Sequence, residues 1–254
     1  MGALEGKVAV VSGASSGSGL GVARRFVAEG ARVFMLARGR ERLIQHAGDL
    51  GESAVPIVTD VGDPESVRTA FAHIATVTGS VDILVNNAGV YRPCAVEELT
   101  DDEVHQQVCT NFLGPVYTAR AAIPLLRAAG GGDIVNTSSE ATLHPFPMLS
   151  MYVATKAALE AFGRVLSQEI QGDDIRVTTV IQGTAIGAGG GSSGWSWDPD
   201  QTNKAMQLWS ERGLLSQAFG RYGGQDVDAV GEVHVFIVTR PRTQKLDTIH
   251  VRSF

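Results

Sequence analysis

Cysteine is scarce in this chain: only Cys94 and Cys109 occur among 254 residues. Two isolated thiols give no disulfide framework and no metal-ligand spacing, and reduced thiols in a cytoplasmic protein are the expectation. The six histidines are scattered and suggest no metal site either. Long apolar runs are missing, none approaching the ~20 residues of a membrane span. Met1 to Lys7 has neither the charged start nor the apolar core of a signal peptide. No long basic cluster is present, and a net charge of −6 argues against nucleic acid or an anionic membrane as partner. What remains is a globular composition, 44% hydrophobic and 19% charged. The length suits one large α/β domain, and neither a repeat nor a linker divides it.

Lys7 to Ser12 (KVAVVS) is an uninterrupted β-branched run, the pattern of a strand buried on both faces. It leads into Ser12 to Gly19 (SGASSGSG), then an amphipathic stretch, Leu20 to Glu29, that stops at Gly30. Strand, glycine turn and helix in that order open a dinucleotide-binding βαβ unit. Gly13 permits the tight turn, while Gly17 and Gly19 let backbone and helix approach a pyrophosphate. The helix N-terminus adds free N–H groups and a positive dipole, with Ser15, Ser16 and Ser18 interspersed. Such a turn also occurs in linkers, but the flanking strand and helix favour the phosphate reading.

Arg32 to Ala37 (RVFMLA) predicts the second strand. An acid at its end would accept bonds from an adenosine 2′-hydroxyl, whereas a cation would welcome a 2′-phosphate. Ala37 and Arg38 stand there, with Arg40 and Arg42 nearby and Ser16 able to add a hydroxyl, so NADP(H) is expected rather than NAD. Ala54 to Val58 predicts a third strand closed by Thr59, Asp60 and Val61. Asp60 suits an adenine contact or a turn equally well. A helix is predicted over Pro64 to Thr78 with Asp63 as N-cap. A fourth strand, Val81 to Val85, leads into Asn86, Asn87, Ala88 and Gly89, where small residues leave room for a flat ring and the amides can tie loops together. Thr100 to Arg127 reads as helical, broken near Gly114-Pro115 and Pro124, with Asn111 inside it. Asp133 to Thr137 and Ile175 to Gln182 complete six strands.

Between those last two lies Ser139 to Lys156 (SEATLHPFPMLSMYVATK), followed by a long helical pattern from Met151 to about Gln171. Tyr152 and Lys156 are four apart and share one helix face. A cation beside a phenol favours the phenolate and lowers its pKa from ~10, which suits proton transfer at neutral pH. The Ser139 hydroxyl could orient a substrate oxygen at the same place. Tyr and Lys also meet at this spacing by chance. Beyond Gly183 a glycine-rich stretch with Trp195 and Trp197 precedes a helix predicted over Asn203 to Gln217, and residues 183–217 read as a lid or, alternatively, as a disordered insertion. A last helix, Asp226 to Thr239, and a closing strand, Asp247 to Arg252, finish the chain. Strands alternating with helices imply a doubly wound parallel sheet of about seven strands, covered on both faces, with the ligand crevice at the strands' carboxyl ends.

Over nearly its whole length the chain resembles the short-chain dehydrogenase/reductase family, whose single domain has the Rossmann fold. Ser12 to Gly19 is similar to the family's TGxxxGxG turn, with Ser12 for threonine and Ser18 where an aliphatic residue is usual. Asn86 to Gly89 matches its NNAG element. The resemblance places a catalytic tetrad on Asn111, Ser139, Tyr152 and Lys156. It extends the cofactor contacts to Arg38, Asp60, Val61, Asn87, Ala88, Gly89, Gly183 and Ala185. It implies hydride transfer between NADP(H) and a carbonyl or alcohol, with Tyr152 as acid–base and Asn111 supporting a water that relays protons to Lys156. A homo-oligomer, tetramer or dimer, is also implied. Gln182-Gly183 replaces the family's Pro-Gly, and no threonine occupies the later position that meets the nicotinamide amide. His144, Phe146, Met148, Val90, Tyr91 and the two tryptophans are expected to line a pocket for a bulky apolar or aromatic ketone, with Arg92 and Arg221 as candidate carboxylate partners. An NAD-linked alcohol dehydrogenase and a non-catalytic NADP-binding regulator are the competing readings.

Overall fold

Alternate residues of β1 (Val8–Ser12) face opposite ways, and both directions are buried. Ala9 and Val11 join one apolar cluster and Val10 joins another. β2 (Arg32–Ala37) repeats the pattern, with Val33 and Met35 on one side and Phe34 and Leu36 on the other. Strands of this kind need helices on both faces, since a two-residue period exposes half the side chains to each side. The computed structural model, which describes residues 2–186 and 198–254, supplies them. On one face lie α1 (Gly17–Ala28), α2 (Arg40–Leu50) and α9 (Val227–Val238); on the other lie α3 (Pro64–Thr78), α5 (Gly114–Ala128) and α6 (Ser150–Glu169).

The remaining strands of the main sheet are β3 (Ala54–Val58), β4 (Ile83–Asn86), β5 (Gly132–Ser139), β6 (Ile175–Gln182) and β9 (Thr248–Val251). All seven run parallel in the order β3-β2-β1-β4-β5-β6-β9. The chain winds outward from β1 in one direction and then from β4 in the other, so a crevice opens between β1 and β4 at their carboxyl ends. A separate parallel pair, β7 (Ala185–Ile186) with β8 (Gln225–Asp226), was not foreseen from the sequence.

Local chemistry explains most element starts. Asp63 accepts hydrogen bonds from the Glu65 and Ser66 backbone N–H groups and Pro64 occupies the first turn of α3. Thr100 and Glu103 form a reciprocal capping box ahead of α4 (Asp101–Val108). The break expected at Gly114-Pro115 and Pro124 falls elsewhere: a π-helical turn, Cys109–Leu113, joins α4 to α5. Pro115 then sits in the first turn of α5, directly after the π-helical turn, and Pro124 lies inside α5 without ending it. The fourth strand begins two residues later than expected, at Ile83. The helix expected over Asn203 to Gln217 is two, α7 (Pro199–Glu211) and α8 (Leu214–Phe219), parted at Gly213 with a φ of 69°. Asp198 caps α7 by accepting from the Gln201 N–H at 2.9 Å.

Candidate active site

The crevice is a cavity of about 1120 Å³ that runs from the glycine turn after β1 to the start of α6. At its first end Gly13 adopts φ 68°, and a Cβ there would lie 2.9 Å from the Ala88 Cα. A Cβ on Gly19 would lie 2.4 Å from the Gly13 carbonyl oxygen. Backbone approaches backbone at both places, which only glycine allows. The turn is latched to the loop after β4 by Ser12. Its Oγ accepts from the Asn87 and Ala88 N–H groups at 3.0 and 3.1 Å, while the Asn87 amide donates to the Ser12 carbonyl at 3.3 Å. α1 begins at Ser16 with no side chain capping it, so its leading N–H groups and positive dipole end face the cavity. Beside this turn, Arg38 and Arg42 line the cavity and Arg40 does not. Arg38 Nη1 lies 4.0 Å from Asp60 Oδ2, and Asp60 Oδ1 also accepts from the Gly62 N–H at 2.9 Å. The residues present therefore fit an adenine dinucleotide: a cradle that a Cβ would fill, an uncapped helix end for a diphosphate, and a cation beyond β2.

At the other end Ser139, Tyr152 and Lys156 line the same cavity. Lys156 is buried and donates from Nζ to the Thr137 carbonyl oxygen at 2.6 Å. Loss of hydration pulls its pKa down to about 8, against an opposing effect of Glu160. Tyr152 departs from expectation. Burial raises its phenol above the ordinary tyrosine value, and a hydrogen bond with Ser139 opposes that rise. The ammonium, 5.9 Å from the ring centroid and committed to Thr137, does not reverse it. Tyr91 packs against Tyr152 with centroids 5.4 Å apart, and burial together with Tyr152 pushes its own pKa up to about 12.

Asn111 does not line the cavity. It is fully buried at the π-helical turn, where Oδ1 accepts from the Val90 N–H at 2.8 Å and Nδ2 donates to the Val90 carbonyl and Thr155 Oγ1 at 2.8 and 3.1 Å. It ties the loop after β4 to α6. Gly19 is likewise behind the wall. The other residues singled out from sequence, Gly13, Ser15, Ser16, Gly17, Ser18, Arg38, Asp60, Val61, Asn87, Ala88, Gly89, Gly183 and Ala185, all line it.

Among the expected pocket residues, Val90, Tyr91 and Phe146 line the cavity, but His144 and Met148 do not. Met148, at φ 67°, packs instead in a small apolar cluster with Leu149 and Trp209. Arg92 pairs with Glu103 at 2.7 Å and Arg221 lies over the Tyr222 ring, so neither enters the wall. Trp195 and Trp197 lie outside the described residues. From the second half of the expected lid, Met206, Trp209 and Leu215 cover the apolar side, joined by Phe219 just beyond it, with Trp209 edge-on to Phe146 at 5.3 Å. Sequence reasoning missed Glu140 and Gln182 as lining residues. The signal for Glu140 was a charge placed directly after Ser139. Among the described residues no cluster of histidine, cysteine or carboxylate side chains could hold a metal ion, and no helix is long and apolar enough to cross a membrane.

Comparison with known proteins agrees with this fold. The short chain dehydrogenase family profile matches residues 7–186. An uncharacterized oxidoreductase of Methylorubrum extorquens is 32% identical, over 92% of this chain and 91% of the relative. Among solved structures, L-sorbose reductase from Gluconobacter frateurii, complexed with NADPH and L-sorbose, is 29% identical with a TM-score of 0.81 and covers 99% of this chain and 96% of its own. The 3-ketoacyl-(acyl-carrier-protein) reductase from Brucella melitensis, complexed with NADH, is 28% identical with a TM-score of 0.82 and covers 98% and 97%. Matched by the family profile over most of its length and by a relative almost end to end, the chain belongs to the short-chain dehydrogenase/reductase family of oxidoreductases.

Proposed function

We propose that this chain interconverts a ketone or aldehyde with an alcohol using NADP(H). The observation that carries the reading is one cavity shared by an uncapped glycine turn and by Tyr152 with Ser139. Bound there, the nicotinamide cofactor supplies a hydride in reduction or accepts one in oxidation. The Gly13–Gly19 turn and the start of α1 hold the diphosphate, and Arg38, with Arg42 beside it, meets the 2′-phosphate. Ser139 orients the carbonyl oxygen. Tyr152, which burial keeps protonated at neutral pH, gives that oxygen its proton as the carbonyl carbon gains the hydride. Lys156 places a positive charge behind the phenol and holds the nicotinamide ribose. Asn111 keeps Val90 and Thr155, and so the Lys156 turn of α6, in register. A phenol kept protonated favours the reductive direction.

Val90, Tyr91, Phe146, Leu149, Met206 and Trp209 form an apolar wall, which supports a bulky apolar or aromatic ketone as substrate. A second reading, an NAD-linked alcohol dehydrogenase, draws on Asp60, whose carboxylate faces Arg38 and competes with a 2′-phosphate for it. The test is a panel of ketones and alcohols with NADPH and NADH, followed by cofactor absorbance. Turnover of aromatic ketones with NADPH supports the proposal; no turnover with either cofactor contradicts it.

A further inference from the structure

Gln182, the last residue of β6, stands beside Ser139 in the strand register, and its side chain crosses to the first turn of α1. There Nε2 donates to Ser18 Oγ at 2.7 Å, joining positions 164 residues apart. Its Oε1 is buried and accepts no hydrogen bond among the described residues. An amide oxygen left so is costly to bury, and such a cost invites a ligand donor. Both residues line the cavity. One neighbours the glycine turn and the other neighbours Ser139, so a dinucleotide seated on the turn with its reacting end at Tyr152 must pass this bridge.

The two residues are also two of the departures from the family pattern at this end of the site, a serine for an aliphatic residue and a glutamine for proline. The threonine that would meet the nicotinamide amide is missing as well. A nicotinamide carries a primary carboxamide, with two donors and one acceptor, the same complement that glutamine offers. With Nε2 committed to Ser18, Oε1 is the atom left to accept from the nicotinamide N–H. We infer that Gln182, braced by Ser18, receives the nicotinamide carboxamide and does for this chain what the missing threonine does elsewhere. The inference rests on the proposed use of a nicotinamide cofactor.

The experiment compares equilibrium binding of three ligands by calorimetry: NADP⁺, its 3-acetylpyridine analogue, in which methyl replaces the amide nitrogen, and 2′,5′-ADP, which has no nicotinamide. Gln182→Leu should weaken NADP⁺ about tenfold and the analogue less than about threefold, as expected for one hydrogen bond to a buried group. Affinity for 2′,5′-ADP should stay unchanged, which also shows that the variant is folded. Ser18→Ala, a smaller change that removes only the brace, should narrow the preference for NADP⁺ over the analogue by about threefold. Should Gln182→Leu fail to bind 2′,5′-ADP, the Ser18→Ala comparison decides. Equal losses for both dinucleotides, or an unaltered preference in Ser18→Ala, overturn the assignment while leaving the oxidoreductase reading intact. A parent protein that binds 2′,5′-ADP but neither dinucleotide overturns both.

Discussion

Lys156 Nζ donates to the Thr137 carbonyl oxygen at 2.6 Å, which pins the first turns of α6, where Tyr152 also lies, to the carboxyl end of β5. Burial lowers this ammonium's pKa to about 8, so its charge is present below that value and lost as pH rises through it. Carbonyl reduction that needs both a protonated Tyr152 and a charged Lys156 should be level through neutral pH and decline above about 8. The measurement is kcat/KM for a ketone against pH, and a rate that stays level well past that value would show that the amine's charge is not required.

In the proposed reading Arg38 is the cation that selects NADP(H) over NAD(H). Its replacement by aspartate should weaken NADPH by about 10–100-fold, the loss of a charge-assisted contact of ~1.5–3 kcal/mol, and should improve NADH. Titrations of both cofactors against parent and variant check this. Equal affinities in the parent would favour the NAD-linked reading.

Asn111→Leu removes three hydrogen bonds and strands the Val90 N–H and carbonyl groups in the interior. Each stranded group costs on the order of 1–3 kcal/mol, so a clear drop in the urea midpoint should accompany the loss of activity. Unchanged stability would mean that the loop after β4 does not depend on this side chain.

His234 of α9 is fully buried, and burial lowers its pKa from 6.5 to about 4 although Val230 hydrogen-bonds its ring. Between those values the unfolded chain takes up a proton that the folded chain refuses. Stability therefore falls as pH drops through that window, by ~3 kcal/mol from this group. His234→Leu should show a shallower decline than the parent in urea titrations over the same window. Parallel declines would place the acid sensitivity in other groups.

The order of elements was legible because β1, β2, β3 and β4 are short, dense apolar runs separated by helical periodicity. The glycine turn was legible too, since Gly13 and Gly19 are needed where backbone meets backbone. What escaped was tertiary. The π-helical turn at Cys109–Leu113 carries no composition signal, and β7 and β8 are two residues each. The direction of the Tyr152 shift depends on burial by the whole fold, which the Tyr-Lys spacing does not reveal. Gln182 looked like a lost proline until its amide was found on Ser18, a partner most of the chain away.

Whether Tyr152 moves the proton is decided by Tyr152→Phe, with kcat measured beside NADPH affinity. Loss of at least ~10²-fold in kcat, the contribution of a positioned acid, is expected with cofactor affinity nearly unchanged. A variant that binds NADPH normally and keeps more than about a tenth of the parent rate would contradict it.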